Sequence, residues 1–411
     1  MERRQGGVSF SALLGTALLV ALGGMEEAAG QEISLVAAGD IEWSRMVRAP
    51  NIYTLANEEE VDMEIRALPA TRTWVSLPLL HIPEHREKIA GLLGEELDSP
   101  TAHHLVSVRY DLEFEDPEAE ARYPLERIRD LVQSADLAFA NLEMPLSSRA
   151  RPTGAFVGDP AFADALRWAG FDVVSLANNH AFDGETVGLL DTMDHLSDVG
   201  VRQVGAGLNL EDARRPLILE RGGIRVAFFG YARSINWIGP AGFAQPDQPG
   251  ILPLDPLIIR EDIGRVRDEV DYVVLSFHWA IENAEDTHPD ARRFAHEMID
   301  LGADIILGHH PHVPRGVEVY NGGVIFYSLG NLIFGHNHTY WGDNYMARLS
   351  LTREGVSRVE VIPVAGAGQD LAQPYVLSGD RAQNLLENVQ RLTADLDTEL
   401  LIEGDVGVIR P

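Results

Sequence analysis

Residues 289–312 read PDARRFAHEMIDLGADIILGHHPH. An amphipathic stretch from Pro289 to Leu301 is followed by Gly302, which suits a helix stop. A short apolar run from Ile305 to Leu307 comes next, and it ends in Gly308, His309, His310, Pro311 and His312. Helix, stop, strand and then polar side chains is the pattern of an α/β unit whose working residues stand at a strand's carboxyl end. The pattern extends outward along the chain. Further apolar runs occur at Ile33 to Ala38, Leu137 to Ala140, Val173 to Ala177, Val226 to Phe229, Tyr272 to Phe277 and Val324 to Tyr327. Helix-like stretches lie between most of them, at Leu125 to Ser134, Pro160 to Ala169 and Glu185 to Asp198, with Gly170 and Gly200 as further stops. The alternation predicts an α/β protein built on a largely parallel sheet covered on both faces.

Two regions interrupt this rhythm. Residues from about 50 to 122 are irregular and carry an acidic cluster at Asp111, Glu113, Glu115, Asp116, Glu118 and Glu120. The cluster reads as a surface insertion with its charges in water, a cation-binding or partner-binding lid being the competing reading. The stretch Ser234 to Pro253, rich in Gly and Pro, reads as a long loop and a candidate substrate cover. After Asn331 the pattern gives a few more strands and a helix from Asp380 to Ala394, with no linker, so residues 31–411 read as one domain. At the amino end, Arg3 and Arg4 precede an apolar run from Phe10 to Leu22, and Ala28, Ala29 and Gly30 follow it. Residues 1–30 therefore read as a secretory signal peptide, with an uncleaved N-terminal anchor as the alternative. Either reading places the remaining chain outside the cytoplasm: periplasmic, extracellular or anchored facing outward.

Composition narrows the chemistry. The 33 Lys and Arg stand against 63 Asp and Glu, a net charge of −30 that repels phosphate backbones and excludes nucleic acid as a partner. The chain has no cysteine, so disulfides, thiolate metal sites and a cysteine nucleophile are excluded. Any metal must be held by His, Asp, Glu or Asn.

Ligand-type side chains fall where the apolar runs end. The first run leads into Gly39, Asp40 and Glu42, the second into Asn141 and Glu143, and the third into Asn178, Asn179, His180 and Asp183. The run ending at Phe277 leads into His278, and the run ending at Tyr327 into Ser328 and Asn331. In an open α/β sheet these ends share one side, so the groups converge. Any one of them alone reads as a helix cap or a satisfied polar residue. Three imidazoles between Gly308 and His312 exceed what capping asks for, and neutral imidazole is a common ligand of divalent ions. The pairs His103 with His104 and His336 with His338 are secondary candidates in loop-like surroundings.

At these residues the sequence resembles the CapA (PgsA) family of poly-γ-glutamate capsule biosynthesis proteins, relatives of the calcineurin-like metallophosphoesterases. The matching pieces are AAGDIEWSR from Ala37, ADLAFANLEMPL from Ala135, FDVVSLANNHAFDGE from Phe171, VVLSFHWAIEN from Val273, GADIILGHHPHVPRGVEVY from Gly302 and VIFYSLGNLIF from Val324. The resemblance implies a four-layer α/β/β/α sandwich of the metallophosphoesterase type. It implies metal ligands among Asp40, Glu42, Asn141, Glu143, Asn179 and His278, and in the final His-x-His, best aligned as His310 and His312 with His309 as the rival. It implies His180 as acid or orienting residue, with Asp40 and Glu282 as further catalytic groups and Asn178, Asn331 and Arg233 on the substrate side. Three departures stand out: the Asp-x-His pair has become Asp40-Ile41-Glu42, the bridging region reads NLE instead of GDxxD, and Gly335 stands where relatives often carry Asp.

The function implied is work in synthesis or export of an anionic cell-surface polymer, through metal-assisted hydrolysis or transfer on a peptide or phosphoryl substrate. Divalent Mn, Zn, Fe or Mg is the expected cofactor, as one ion or two, with none as the limiting case, and a membrane capsule-synthesis complex is the expected partner. Three alternatives remain open: a non-catalytic accessory subunit, a secreted metallophosphoesterase, and a metal-independent peptide epimerase-like enzyme.

Overall fold

The computed structural model describes residues 32–44, 72–78, 107–150, 156–236, 238–334, 342–366 and 373–411, with backbone alone over 72–78 and 107–113. Residues 1–30, read above as a signal peptide or anchor, and His103, His104, Gly335, His336 and His338 lie outside the described residues. Among the described residues no helix is long and apolar enough to cross a membrane.

Two sheets form the centre. The nine-stranded one runs in the order Leu401–Glu403, Val406–Ile409, Gly355–Val364, Asn344–Thr352, Ile33–Glu42, Leu137–Leu142, Val173–Ser175 and Arg202–Val204, and Asn331–Phe334 pairs beside the end of Ile33–Glu42. The six-stranded one runs Val317–Tyr320, Gly323–Phe326, Ile305–His309, Tyr272–His278, Ile224–Ala232 and Leu217–Arg221. Strands Ile33–Glu42, Leu137–Leu142, Val173–Ser175 and Arg202–Val204 run parallel, as do Ile224–Ala232, Tyr272–His278, Ile305–His309 and Gly323–Phe326.

Successive side chains in a strand point to opposite faces, and here both faces are buried. Leu35, Ala37, Leu137, Phe139 and Val173 meet Val226, Phe228, Val274, Ile305 and Leu307 in a core between the two sheets. The intervening Val36, Ala38, Ala138 and Ala140 face helices Ala161–Ala169 and Glu185–Val199 through Phe162, Leu166, Leu189 and Leu196. On the other side Ala227, Phe229, Val273, Leu275 and Ile306 face helices Pro256–Val266 and Pro289–Asp300 through Ile259, Ile263, Ala295 and Met298. The result is the α/β/β/α sandwich. The alternation of runs had predicted helices on both faces of one sheet; instead each sheet has helices on one face and the other sheet on its second. Burial on both faces makes the apolar runs continuous in either case, so the runs alone do not distinguish the two arrangements.

Gly170 and Gly200 close their helices in the left-handed conformation, at φ 106° and 79°. Helix Pro256–Val266 was not legible as a periodic stretch, although Asp255 caps it by accepting from Leu257 N at 2.8 Å. The acidic insertion also needs correction. Asp116 caps helix Pro117–Arg122 and Glu118 pairs with Arg122, but Glu120 is buried at 5% exposure instead of facing water. The loop Ser234 to Pro253 is pinned to the body by pairing of Gly250–Ile251 with Ala206–Gly207.

The first strand sits too close to the turn after Phe326 for any side chain at position 39: a Cβ there would lie 1.9 Å from Gly330 O. Gly39→Ala is expected to lower stability by about 1–3 kcal/mol, read as a drop in the urea midpoint. Gly264→Ala, in helix Pro256–Val266 with nothing near its Cβ, is expected to raise stability by up to about 1 kcal/mol. Equal effects of the two would contradict the close approach of the strands.

Candidate metal centre

The carboxyl ends of both sheets meet at one place. Asp40 is the register partner of Asn141 on one side and of Asn331 on the other, and His278 is the partner of His309 across the second sheet. Asp40, Glu143 and His309 are fully buried, and His278 is 2% exposed.

Asp40 is held from both sheets. Its Oδ1 accepts from Asn141 Nδ2 at 2.9 Å and its Oδ2 accepts from His310 N at 3.1 Å. His312 Nδ1 stands 3.4 Å from Oδ2. His309 Nδ1 stands 3.2 Å from Oδ1, near enough for charge attraction but off the line of a hydrogen bond. Burial opposes the charge of Asp40, but the His309 and His312 imidazoles outweigh it and hold the carboxyl well below the usual carboxylate range. Burial pushes Glu143 the other way, aided by the charges of Asp40 and Glu282, so its carboxyl is raised well above that range.

Around Glu143 the lone pairs crowd together. Its Oε1 is 3.4 Å from His278 Nε2 and 3.9 Å from His312 Nε2. His278 Nε2 is also 2.7 Å from Asn179 Oδ1 and 3.1 Å from His310 Nδ1. Burial, then the neighbouring His310, lowers His278 well below the ordinary imidazole range; burial and His312 bring His310 down to about 4. Both rings are therefore neutral at pH 7. A carboxyl oxygen, an amide oxygen and a second imidazole nitrogen thus all lie within 3.4 Å of His278 Nε2.

This arrangement fits a divalent cation. Glu143 Oε1 is buried and receives no hydrogen bond, and among the described residues no Lys or Arg pairs with Asp40 or Glu143, whose only basic neighbours within 4 Å are imidazoles. Glu143, His278 and His310 bring ligand atoms within 4.8 Å of one another, as do Asp40, Glu143 and His312, and as do Glu282, His310 and His312. Clusters of His, Glu and Asp are therefore positioned to coordinate a divalent metal ion. Asn331 Oδ1 lies 2.9 Å from His312 Nδ1, so it accepts that proton and leaves Nε2 facing Glu143. His310 and His312 have φ of 93° and 60°, a left-handed backbone rare outside glycine that turns both rings toward the cluster.

The remaining expected residues fall at different depths. Glu42 is buried, but its Oε1 accepts from Ser44 N at 2.6 Å and from the Ser44 hydroxyl, and it joins none of the three groups above. His309 lies beneath Asp40, its ring centre 6.1 Å from that of Phe139. Asn141 Nδ2 bridges Asp40 and His278 Nδ1, and Asn178 donates to Asn141 Oδ1 at 3.2 Å and to Leu142 O at 2.8 Å. Glu282 is exposed at the rim, 3.9 Å from His310 Nε2. Arg233 is exposed too, its N donating to His278 O at 3.0 Å.

His180 is set by a partner that the sequence flagged without a role. Its Nδ1 is 2.8 Å from Oδ2 of the buried Asp183, which also accepts from Phe156 N at 3.0 Å. The Phe156 ring packs 4.2 Å from the imidazole. Asn236 Nδ2 stands 3.4 Å from Nε2. The spacing of three between His180 and Asp183 was a legible signal, whereas nothing in the sequence pointed to Asn236.

A family model described as "Bacterial capsule synthesis protein PGA_cap" matches residues 91–336. The PGA biosynthesis protein CapA of Bacillus subtilis is 38% identical over 201 residues, covering 48% of this chain and 52% of that protein. The capsule biosynthesis protein CapA of Bacillus anthracis is 35% identical over 204 residues, covering 49% of each. A probable polyglutamine synthesis accessory protein of Mycobacterium tuberculosis is 34% identical over 174 residues, covering 39% of this chain and 44% of that one. The chain spans about half the length of the curated relatives it matches. Among solved structures, the sulfate thiohydrolase SoxB of Thermus thermophilus is similar at TM-score 0.43 and 14% identity, over 90% of this chain and 61% of that one. At that distance the likeness carries no argument about activity.

The charge arrangement has a pH consequence. Glu143 keeps its proton in the folded metal-free state above the pH at which an unfolded carboxyl loses it, so its contribution to stability falls as pH rises through its raised folded value. A cation bound there competes with that proton, while His278 and His310 are held below the ordinary imidazole range and meet it as neutral rings. Calorimetric titration with Zn2+ in two buffers of different ionisation enthalpy is expected to show proton release that Glu143→Gln abolishes. Equal heats in the two buffers for the wild-type chain would contradict this assignment.

Proposed function

Because this chain belongs to the bacterial capsule synthesis protein family PGA_cap, we propose that it acts outside the cytoplasm in the biosynthesis or export of an anionic cell-surface polymer of the poly-γ-glutamate type. Its chemistry in this reading is metal-assisted hydrolysis or transfer. The observation that carries it is the convergence of Glu143, His278 and His310 with Asp40 and His312 where the two sheets' strands end. The Bacillus relatives, PGA and capsule biosynthesis proteins, supply the substrate class.

In this reading Glu143, His278 and His310 would hold one ion, with Asn179 Oδ1 beside His278 as a further ligand, and Asp40 and His312 with Glu143 form a second group of donors. The chemistry that a divalent cation would supply there is polarisation of an acyl or phosphoryl oxygen and a lowered pKa for a water. Asp183 fixes the Nδ1 proton of His180, so Nε2 is the atom that exchanges a proton with the leaving group. Asn178 keeps Asn141 oriented toward Asp40. Arg233 is exposed and is tied to the strand end through its backbone N, which donates to His278 O, so it is the candidate source of positive charge at the rim for a chain of net charge −30 that must approach an acidic polymer.

A second reading, a non-catalytic accessory subunit of a capsule assembly complex, draws on the Mycobacterium tuberculosis relative, a probable polyglutamine synthesis accessory protein. One assay separates the two. The purified full chain with Mn2+ is incubated with a γ-linked glutamate oligomer and, separately, with a generic phosphodiester, and products are followed by mass spectrometry. The catalytic reading expects turnover of one of them that chelation abolishes, with His310→Ala slower by on the order of 100-fold and His180→Ala by about 100-fold or more. A metal-loaded wild-type chain that turns over neither substrate would leave the accessory reading standing.

A further inference from the structure

Arg315 is the largest fully buried side chain among the described residues, at 1% exposure. Among those residues it forms no ion pair. Its guanidinium instead donates to two backbone carbonyls, from Nε to Ala284 O at 2.7 Å and from Nη2 to Ile281 O at 3.2 Å. Burial lowers its pKa to about 10, against the pull of Asp286, so it is still a cation at neutral pH. A buried charge is costly to desolvate, and truncating one partner of such a group is strongly destabilising. What the charge holds is therefore informative.

The carbonyls belong to the loop that follows strand Tyr272–His278. That loop does not hold itself. Ala280 has φ 72° and Asn283 φ 57°, and a left-handed alanine persists only where its surroundings enforce it. Trp279 N donates to His309 O at 3.1 Å and Asn283 N donates to Pro311 O at 2.8 Å, so the loop lies along the histidine segment. Between the two carbonyls sits Glu282, whose Oε1 is 3.9 Å from His310 Nε2 and whose ligand atom groups with those of His310 and His312. The far end of Arg315 is fixed as well: its N donates to Ser328 O at 3.1 Å, and its own carbonyl accepts from the Tyr345 hydroxyl at 3.1 Å.

We propose that Arg315 is a positioning residue that clamps the loop from Ala280 to Ala284 so that Glu282 stands over His310 and His312 as an additional ligand of the cation site. The proposal rests on the metal-site reading above, but the clamp itself is testable without metal. Neither Arg315 nor its role was legible in the sequence, where it follows the histidine segment as an ordinary basic residue.

The test combines hydrogen exchange with a double-mutant cycle on the full chain. In Arg315→Gln, amides of residues 280–284 are expected to exchange at least about tenfold faster, while strand Tyr272–His278 keeps its protection. Arg315→Lys restores charge and part of the hydrogen bonding and is expected to fall between, and it serves alone should the Gln variant fail to fold. For Mn2+ affinity, Glu282→Gln and Arg315→Gln are each expected to lose about 10-fold or more, and the double variant to bind no more weakly than Glu282→Gln alone. Unchanged exchange in the loop, or losses that multiply in the double variant, would overturn the proposal. A wild-type chain that binds no Mn2+ would refute the metal reading and leave the exchange result to decide the clamp.

Discussion

Asp40 is a fully buried carboxylate that stays charged because both sheets supply it with partners. Asn141 reaches it from the neighbouring strand at 2.9 Å, and the His310 amide, His309 and His312 reach it from the opposite sheet. The core between the sheets is apolar along most of its depth, and this carboxylate is where its open end turns polar. The position of the histidine segment depends on it, since the left-handed backbones of His310 and His312 are held by contacts to Asp40 and Asn331. The close approach at Gly39 follows from the same demand: Asp40 N donates to Gly330 O at 2.9 Å, which leaves no room for a side chain at the preceding residue.

Once Asp40 is charged, a second buried carboxyl beside it cannot ionise cheaply. Burial, aided by the charge of Asp40, therefore raises the Glu143 carboxyl well above the usual range, while burial lowers His278 and His310, helped by His310 at the first and by His312 at the second. Opposed shifts of this kind within one cleft mark a site suited to a cation, because a divalent charge relieves the repulsion between Asp40 and Glu143 and uses the lone pairs the imidazoles have to spare. The departures from the pattern that the sequence resemblance implied acquire a physical sense here. Glu143, in the NLE stretch, reaches the place where His278 and His310 meet. Glu42, in place of the second residue of Asp-x-His, turns back to Ser44 and braces the strand end.

Much of this was legible in the residues. The strands were readable because burial on both faces makes them unbroken apolar runs, and the site was readable because ligand-type residues repeatedly follow such runs. The stacking of two sheets was not readable from the runs, which look the same whether a helix or another sheet covers the second face. Glu42 and Glu143 look equivalent in sequence, and only side-chain direction separates them. His309, His310 and His312 likewise differ in backbone twist: the last residue of the strand, His309, points down beside Phe139, while the two after it turn toward the cluster. Glu120 read as one more solvated acid in a run of acids, yet helix Pro117–Arg122 turns it inward. Asn236 and Arg315 depend on contacts across 56 and 31 or more residues of chain, which no local pattern encodes.

The central claim is that Glu143, His278 and His310 share one cation at the ends of the two sheets. A crystal of the chain soaked in Zn2+, with data collected on both sides of the zinc absorption edge, tests it most directly. The account expects an anomalous peak about 2.0–2.2 Å from Glu143 Oε1 and from His278 Nε2 and His310 Nδ1, absent in crystals of Glu143→Gln. Zinc bound only elsewhere on the surface, or an empty cluster at saturating Zn2+, would contradict it.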